Sequence, residues 1–452
     1  MNKNVDKSIK ETVLKYNPDN VIEEDYPAIK LFGKDILLEA QTQFDNETSE
    51  EDAQKIVFDA TSKRIRELLR ADNFSILTGA GSSYNHGGVL FSNKELTDGW
   101  VSNIFLKENY LQYKNDYEAL KQLFEKNAED KENYGVEDFI TFLVKLDYVA
   151  IRGGRIEKNG RNILLNVPKI RKAILNELSQ KCRLPSNGKE KEINNTITFI
   201  KRILSRPVNL RRTNLFTTNY DLVFEKAMDE LGVIYVDGFI GGLKKFFHPE
   251  AFNYDYYYPA ATTEGKVSRL ERVIHLYKLH GSLNWTVSND NSFLNVYGIE
   301  KKPEEQIPDN GKEVLIYPTP MKESDTLGFP YSEIFRRFAN TIQQPQSVLL
   351  TYGYSFGDAH INRIMFEALS IPSFQLIIVS YNWSENIKKI YDKFKNEPSV
   401  GFIIGPNFAQ WQTFTNHILP DLPSQDLEEK YQQKREQAKS CIYSKKGNGY
   451  ND

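Results

Sequence analysis

The sequence predicts an α/β protein: a Rossmann-like, mostly parallel sheet flanked by helices and interrupted by a helical insertion module. Two patterns carry that reading. Short apolar runs at Phe74 to Thr78, Asn214 to Thr218, Val233 to Asp237, Val273 to Leu279, Glu313 to Tyr317, Ser347 to Tyr352, Gln375 to Ser380 and Phe402 to Ile404 alternate with helix-period segments. Strands of a parallel sheet are covered on both faces and read as such runs. Between the first run and the rest, successive amphipathic helices near 116–127, 136–148, 168–181 and 193–205 follow one another with few convincing strands. That interval is the insertion.

The elements are justified in order. Residues 1–53 are polar and acidic and are expected to form an extension outside the folding core. A helix follows from about Ala53 to Arg70, with Ile56, Val57, Ala60, Ile65, Leu68 and Leu69 at helical spacing. The first strand then ends in Gly79-Ala80-Gly81-Ser82-Ser83. Further helices are expected near 221–231, 331–342, 359–369, 384–396 and 407–416. The domain expectation is a polar extension (1–53), a sheet domain (54–98 and 208–420), a helical insertion (99–207) and a polar tail (421–452).

Composition excludes several classes. Of 452 residues, 40% are hydrophobic and 26% charged, ordinary for a globular protein. The net charge of −3 gives no basic excess pointing to nucleic acid. Two cysteines, Cys182 and Cys441, cannot supply a four-cysteine zinc site or a disulfide framework. The six histidines show no paired ligand spacing, so no metal is expected. The first residues lack an apolar signal segment and no stretch is long and apolar enough for a membrane span, so a cytoplasmic protein is expected.

Five motifs follow strands, at the edge where open α/β sheets gather ligands. Gly79, Ala80, Gly81 and Ser82 are small enough for the backbone to approach a diphosphate. The dinucleotide fingerprint is incomplete, since Tyr84 stands where its third glycine would be. Thr217-Thr218-Asn219-Tyr220-Asp221 offers an amide and a carboxylate at a helix start, where simple capping is the bland alternative. Lys278-Leu279-His280-Gly281 places a histidine where its strand stops, and its ordinary pKa near ~6.5 suits proton transfer. His275 points to the other side of the strand, and His86 lies in the first loop. Gly353-Tyr354-Ser355 and Ser380-Tyr381-Asn382 complete the series as candidate ribose and adenine walls. Lys244-Lys245-Phe246-Phe247 reads as a surface hinge.

In this order the motifs resemble the sirtuin family, specifically its bacterial sirtuin-like branch found in anti-phage defence. The resemblance implies NAD as substrate. It implies that Gly79, Ala80, Gly81 and Ser82 hold the diphosphate, that Asn219 and Thr218 lie beside the nicotinamide ribose, and that Asp221 supports the nicotinamide pocket. His280 is implied as general base, with Gly353, Ser355 and Asn382 on the adenosine side. The family's segment after the first loop is replaced here by Gly87-Gly88-Val89-Leu90-Phe91-Ser92, and its zinc cysteines are absent. Both departures argue against deacylation and for hydrolysis of the NAD N-glycosidic bond, with a non-hydrolysing NAD or ADP-ribose sensor as the alternative. The resemblance further implies a homo-oligomer and a HerA-like ATPase partner.

Overall fold

Among the described residues, nine strands make the main sheet: β1 (Ile29–Leu31), β2 (Lys34–Asp35), β3 (Asn73–Thr78), β4 (Asn214–Thr217), β5 (Ile234–Val236), β6 (Val273–Lys278), β7 (Ser347–Tyr352), β8 (Gln375–Ser380) and β9 (Val400–Ile404). Their spatial order in the computed structural model is β2-β1-β9-β8-β7-β3-β4-β6-β5. The structure describes residues 29–420 except 45–47, 84–95, 128–135, 159, 182–192, 259–267, 307–312 and 316–327, together with Gln437. Cys182, Cys441, His86, the segment 87–92 and nearly all of the tail lie outside those residues.

β3 to β9 all run parallel to one another. Every residue of β3 and β7 is buried, which explains their unbroken apolar reading. One face of the sheet packs on Phe199, Phe224, Met228, Trp411 and Phe414. The other packs on Phe335, Phe338, Met365, Ile387 and Tyr391. Burying each such side chain contributes roughly 1.5–3 kcal/mol.

The chain leaves β3 for β4 on one side and returns later to β7 on the other. The strand order therefore reverses between β3 and β7, and a crevice opens at their carboxyl ends. Register levels these ends: Thr78 pairs with Tyr352 on one side and Thr217 on the other. Gly79, Gly353 and Thr218 thus emerge next to one another.

Several expectations change. Ile29 and Leu31 are fully buried, and β1 adds antiparallel to β9. The segment read as part of a polar extension therefore closes the sheet edge, through a pairing with distant β9 that no local period shows. Helix Asn194–Leu204 was assigned to the insertion. Its Phe199, Ile200 and Ile203 instead pack in the core against the sheet. Glu313–Leu315 belongs to a separate five-stranded antiparallel sheet with Gly281–Val287, Ile299–Lys301, Lys245–Phe247 and Phe239–Ile240. The expected hinge at Lys245 to Phe247 is one of its strands: Phe246 and Phe247 are buried while Lys245 is exposed.

The helical module has its own core, built by helices Lys114–Asn127, Val136–Ile151 and Val167–Lys181. Tyr220, Leu222 and Leu283 belong to that core. Phe105 stacks on Tyr117 at 4.4 Å, and Tyr117 meets Phe139 edge-on at 5.9 Å. The module therefore rests directly on the residues that flank Asn219, Asp221 and His280.

Candidate functional site

The site is assembled where β3, β4 and β7 end. The loop after β3 turns immediately into one short helical turn, Ala80–Ser82. Its glycines are required by close approach. A Cβ on Gly79 would lie 2.7 Å from the Gly353 carbonyl oxygen, and one on Gly81 would lie 2.7 Å from Gly353 Cα. Gly353 itself adopts φ +58°, a left-handed conformation that suits glycine. The two glycine loops therefore interlock backbone to backbone, with the Gly81 amide donating to the Gly353 carbonyl at 3.1 Å.

This interlock alters the expected diphosphate cradle. The amides of Gly79, Gly81, Ser82 and Ser83 donate to the carbonyls of Tyr352, Gly353, Gly79 and Ala80 respectively. Among the described residues, the Ala80 amide has no backbone acceptor and is the loop donor left for an anion.

Asn219 ties the loop down. Its Nδ2 faces the Gly79 carbonyl at 2.9 Å, Ser82 Oγ at 3.1 Å and Ser83 Oγ at 3.0 Å. An amide nitrogen has two hydrogens, so these three acceptors share them. Its own backbone N–H donates to Thr217 Oγ1 at 3.0 Å. Ser83 Oγ donates to Asp221 Oδ2 at 2.7 Å, and Asp221 Oδ1 accepts the Val223 amide at 3.1 Å, the first residue of helix Val223–Glu230. Asp221 therefore both holds the first amide of that helix and anchors the glycine loop. Thr218 is held by its amide to the Thr78 carbonyl at 3.0 Å.

Lys278 holds this arrangement from below. It is 2% exposed. Its Nζ donates to the carbonyls of Asn219 and Asp221 and forms an ion pair with Glu225 Oε1 at 3.1 Å. Burial drives the Glu225 carboxyl above its ordinary pKa, against the pull of Lys278 and Lys301. His280 lies two residues after the end of β6 and is 5% exposed. Its ring lies 6.1 Å from that of His360, which in turn meets Phe335 edge-on at 4.8 Å.

Ser355 and Asn382 are exposed, and no described contact joins either to the 79–83 loop. The Ser355 carbonyl accepts from Asn386 Nδ2 at 3.3 Å, and the Asn382 carbonyl accepts from Ser380 Oγ at 3.0 Å. The structure thus brings together Gly79, Ala80, Gly81, Ser82, Thr218, Asn219, Asp221 and Gly353, with His280 at the end of the next strand. Sequence reasoning gave no role to Ser83, Lys278 or His360. The only signal for them was adjacency to motif residues.

Residues 213–399 match the SIR2-like domain family. The match takes in β4 to β8 but not β3 or its glycine loop, and covers less than half of the chain. No curated protein matches the chain. Among solved structures, the chain is similar to a Sir2 homologue mutant bound to 2'-O-acetyl ADP ribose, at 14% identity and TM-score 0.36, covering 81% of this chain and 98% of that one. It is also similar to two Sir2 homologue mutants bound to ADP ribose, each with TM-score 0.32, at 14% and 13% identity. These cover 79% of this chain in both cases, and 94% and 95% of the other chain. Among the described residues no group of three histidine, cysteine or acidic side chains is arranged to hold a metal. No helix there is long and apolar enough to cross a membrane.

Proposed function

We propose that this protein is an NAD glycohydrolase of the sirtuin-like kind. One observation carries the reading: Asn219 fastens the glycine loop after β3 to the end of β4 at the point where the strand order reverses. An open α/β sheet binds dinucleotides there, and the SIR2-like match covers the half of the site that supplies Asn219 and His280.

In the reaction the bond between ribose C1′ and the nicotinamide nitrogen breaks, and nicotinamide leaves as a neutral molecule. Water adds to the oxocarbenium-like carbon and gives up a proton, yielding ADP-ribose. His280 takes that proton through the water or a ribose hydroxyl. Asn219, held by Ser82, Ser83 and Gly79, presents the remainder of its amide to the ribose, and the Ala80 amide faces the diphosphate. Asp221 acts by positioning Ser83 and the loop. The helical module, seated on Tyr220, Leu222 and Leu283, governs access to the pocket.

Unchecked NAD loss would kill the host cell. We infer a regulated effector of anti-phage defence, acting as a homo-oligomer with a HerA-like ATPase partner. A second reading has its own support. Asn219 Nδ2 is committed to the protein's own loop, which suits a sensor that binds NAD or ADP-ribose without cleaving it.

Purified full-length protein incubated with NAD, alone and with the ATPase, separates the two. Nicotinamide release that disappears in Asn219→Ala and His280→Ala supports the hydrolase. Saturable NAD binding without release in either condition supports the sensor. Neither binding nor release would end both readings.

A further inference from the structure

A second cavity lies at the opposite edge of the same sheet. Its volume is about 590 Å³, within the usual range of small-ligand sites. Asn73 and Asn214, the first residues of β3 and β4, are in its wall. The glycine loop and Thr218 follow the last residues of those strands. At ~3.3 Å per residue the two sites are about 17 Å apart along β3.

Five arginines line it: Arg211, Arg212, Arg269, Arg336 and Arg337. Two carboxylates face them. Asp255 accepts from Arg212 Nε at 3.0 Å and from Arg269 Nε and Nη2 at 3.0 and 2.7 Å. Burial would raise the Asp255 carboxyl, but these hydrogen bonds hold it below its ordinary pKa. Glu333 takes Arg336 and Arg337 on helix Tyr331–Ile342. Among the described residues, five lining arginines against Asp255 in the wall and Glu333 beside Arg336 and Arg337 leave an excess of positive charge in a chain whose net charge is −3. Arg211 is exposed and makes no ion pair among the described residues.

Arg212, Arg269, Arg336 and Arg337 are held in place by hydrogen bonds, while Arg211 is free to turn toward a ligand. Arg337 Nη1 donates to Asn253 Oδ1 at 2.9 Å, and its guanidinium lies over the Phe252 ring at 5.3 Å. Pre-set guanidinium forks suit phosphate oxygens. The rest of the wall is suited to a ring with polar edges. Tyr254 exposes half its surface, and Asn340, Thr341 and Gln344 supply amide and hydroxyl groups. His275 also lines the cavity, and its Nε2 is buried without a hydrogen-bond partner.

We propose that this arginine-lined cavity binds a nucleoside triphosphate, with phosphates on Arg211 and Arg336 and the base against Tyr254 and His275. The site is independent of the NAD reading. It uses no residue of the crevice at the other edge of the sheet.

The test uses full-length protein, with ATP and inorganic tripolyphosphate as probes, in calorimetry and thermal unfolding. ATP is expected to bind the unaltered protein, raise its melting temperature and shift the His275 imidazole resonances. Arg211→Ala combined with Arg336→Ala, both solvent-facing changes, should weaken ATP at least about tenfold while leaving the melting temperature without ligand nearly unchanged. Tripolyphosphate should bind more weakly than ATP. Three results would overturn the proposal: no ATP binding, equal affinity for tripolyphosphate and ATP, or ATP binding that survives the double change and is displaced competitively by ADP-ribose. The last would place the nucleotide in the crevice beside β3 and β7.

Discussion

The side-chain amide of Asn219 donates to the carbonyl oxygen of Gly79 across 2.9 Å, joining residues 140 positions apart. β3 and β4 are parallel neighbours with Thr78 opposite Thr217, so the loop after one strand falls within reach of the loop after the other. Asn219→Ala leaves the Gly79 carbonyl and two buried serine hydroxyls without this donor. A buried polar group stripped of its partner costs about 1–3 kcal/mol. The melting temperature should fall measurably, and NAD binding should weaken with it. Asn219→Asp should be worse than Ala in this contact, since a carboxylate cannot donate to Gly79. An Asn219→Ala protein with unchanged stability and unchanged NAD affinity would remove the loop-anchoring role.

Gly353 and Gly33 separate two costs of replacing glycine. Both have positive φ, +58° and +75°, but a Cβ on Gly353 would meet Gly81 Cα at 2.7 Å, while a Cβ on Gly33 meets nothing within 4 Å. Gly33→Ala should lose only backbone conformational energy, on the order of 1 kcal/mol. Gly353→Ala must also push two backbones apart and should cost clearly more, with the NAD site disturbed. Denaturation midpoints of the two variants test the difference. Equal losses would mean that the interlock of the two loops adds nothing.

Lys278 supports the Asn219–Asp221 segment from a buried position and shares its charge with Glu225 at 3.1 Å. Removing one partner of a buried pair typically costs about 3–5 kcal/mol, because the other charge stays behind. Lys278→Met should therefore be severely destabilised, and Lys278→Met with Glu225→Leu should recover part of the loss. Burial already holds the Glu225 carboxyl above its ordinary range. Without Lys278 it is driven higher, so the single variant should be least defective in mild acid, where Glu225 can be neutral. Unfolding curves of the four proteins at two pH values decide this. No rescue in the double variant would show that Lys278 matters for its carbonyl contacts alone.

The legible part of the fold was the part that is buried on both sides. Phe74 to Thr78, Ser347 to Tyr352 and Gln375 to Ser380 are runs whose strands begin and end within a residue of expectation. β1 was invisible because Ile29-Lys30-Leu31 is only three residues long and owes its strand to pairing with distant Phe402 and Ile403. The antiparallel sheet around Gly281–Val287 was missed for a related reason. Its Lys245-Phe246-Phe247 strand is too short to show a period, and pairing with Phe239–Ile240 on one side and distant Ile299–Lys301 on the other makes it a strand. At the site, Gly79 to Ser82, Asn219 and Gly353 could be found because strand ends and small residues mark them. The roles of Ser83 and Lys278 depend on contacts to Asp221, Glu225 and Asn219 that no local spacing encodes. Ser355 and Asn382 had the right position after a strand, but position alone did not give them a contact with the loop.

His275 makes stability depend on pH. Its ring is partly buried in the arginine-lined wall, with Nε2 out of reach of solvent, and its pKa is lowered to about 4, first by desolvation. Arg212, Arg269 and Arg337 lower it further, and Asp255 opposes them. Tyr277 lies 3.5 Å from its Nδ1. In the unfolded chain the same histidine titrates near ~6.5. Between about pH 6.5 and pH 4 the unfolded state therefore binds more protons than the folded one, and stability must rise with pH across that window. At one pKa unit per 1.36 kcal/mol, the full effect is roughly 3 kcal/mol. His275→Gln keeps a hydrogen-bonding side chain but cannot titrate, so its stability should fall less between pH 6.5 and 4 than that of the unaltered protein. The difference between the two pH profiles, measured by urea unfolding, isolates His275 from the carboxylates that titrate in both. Superimposable profiles would mean that the ring is protonated as easily in the folded protein as in the unfolded chain.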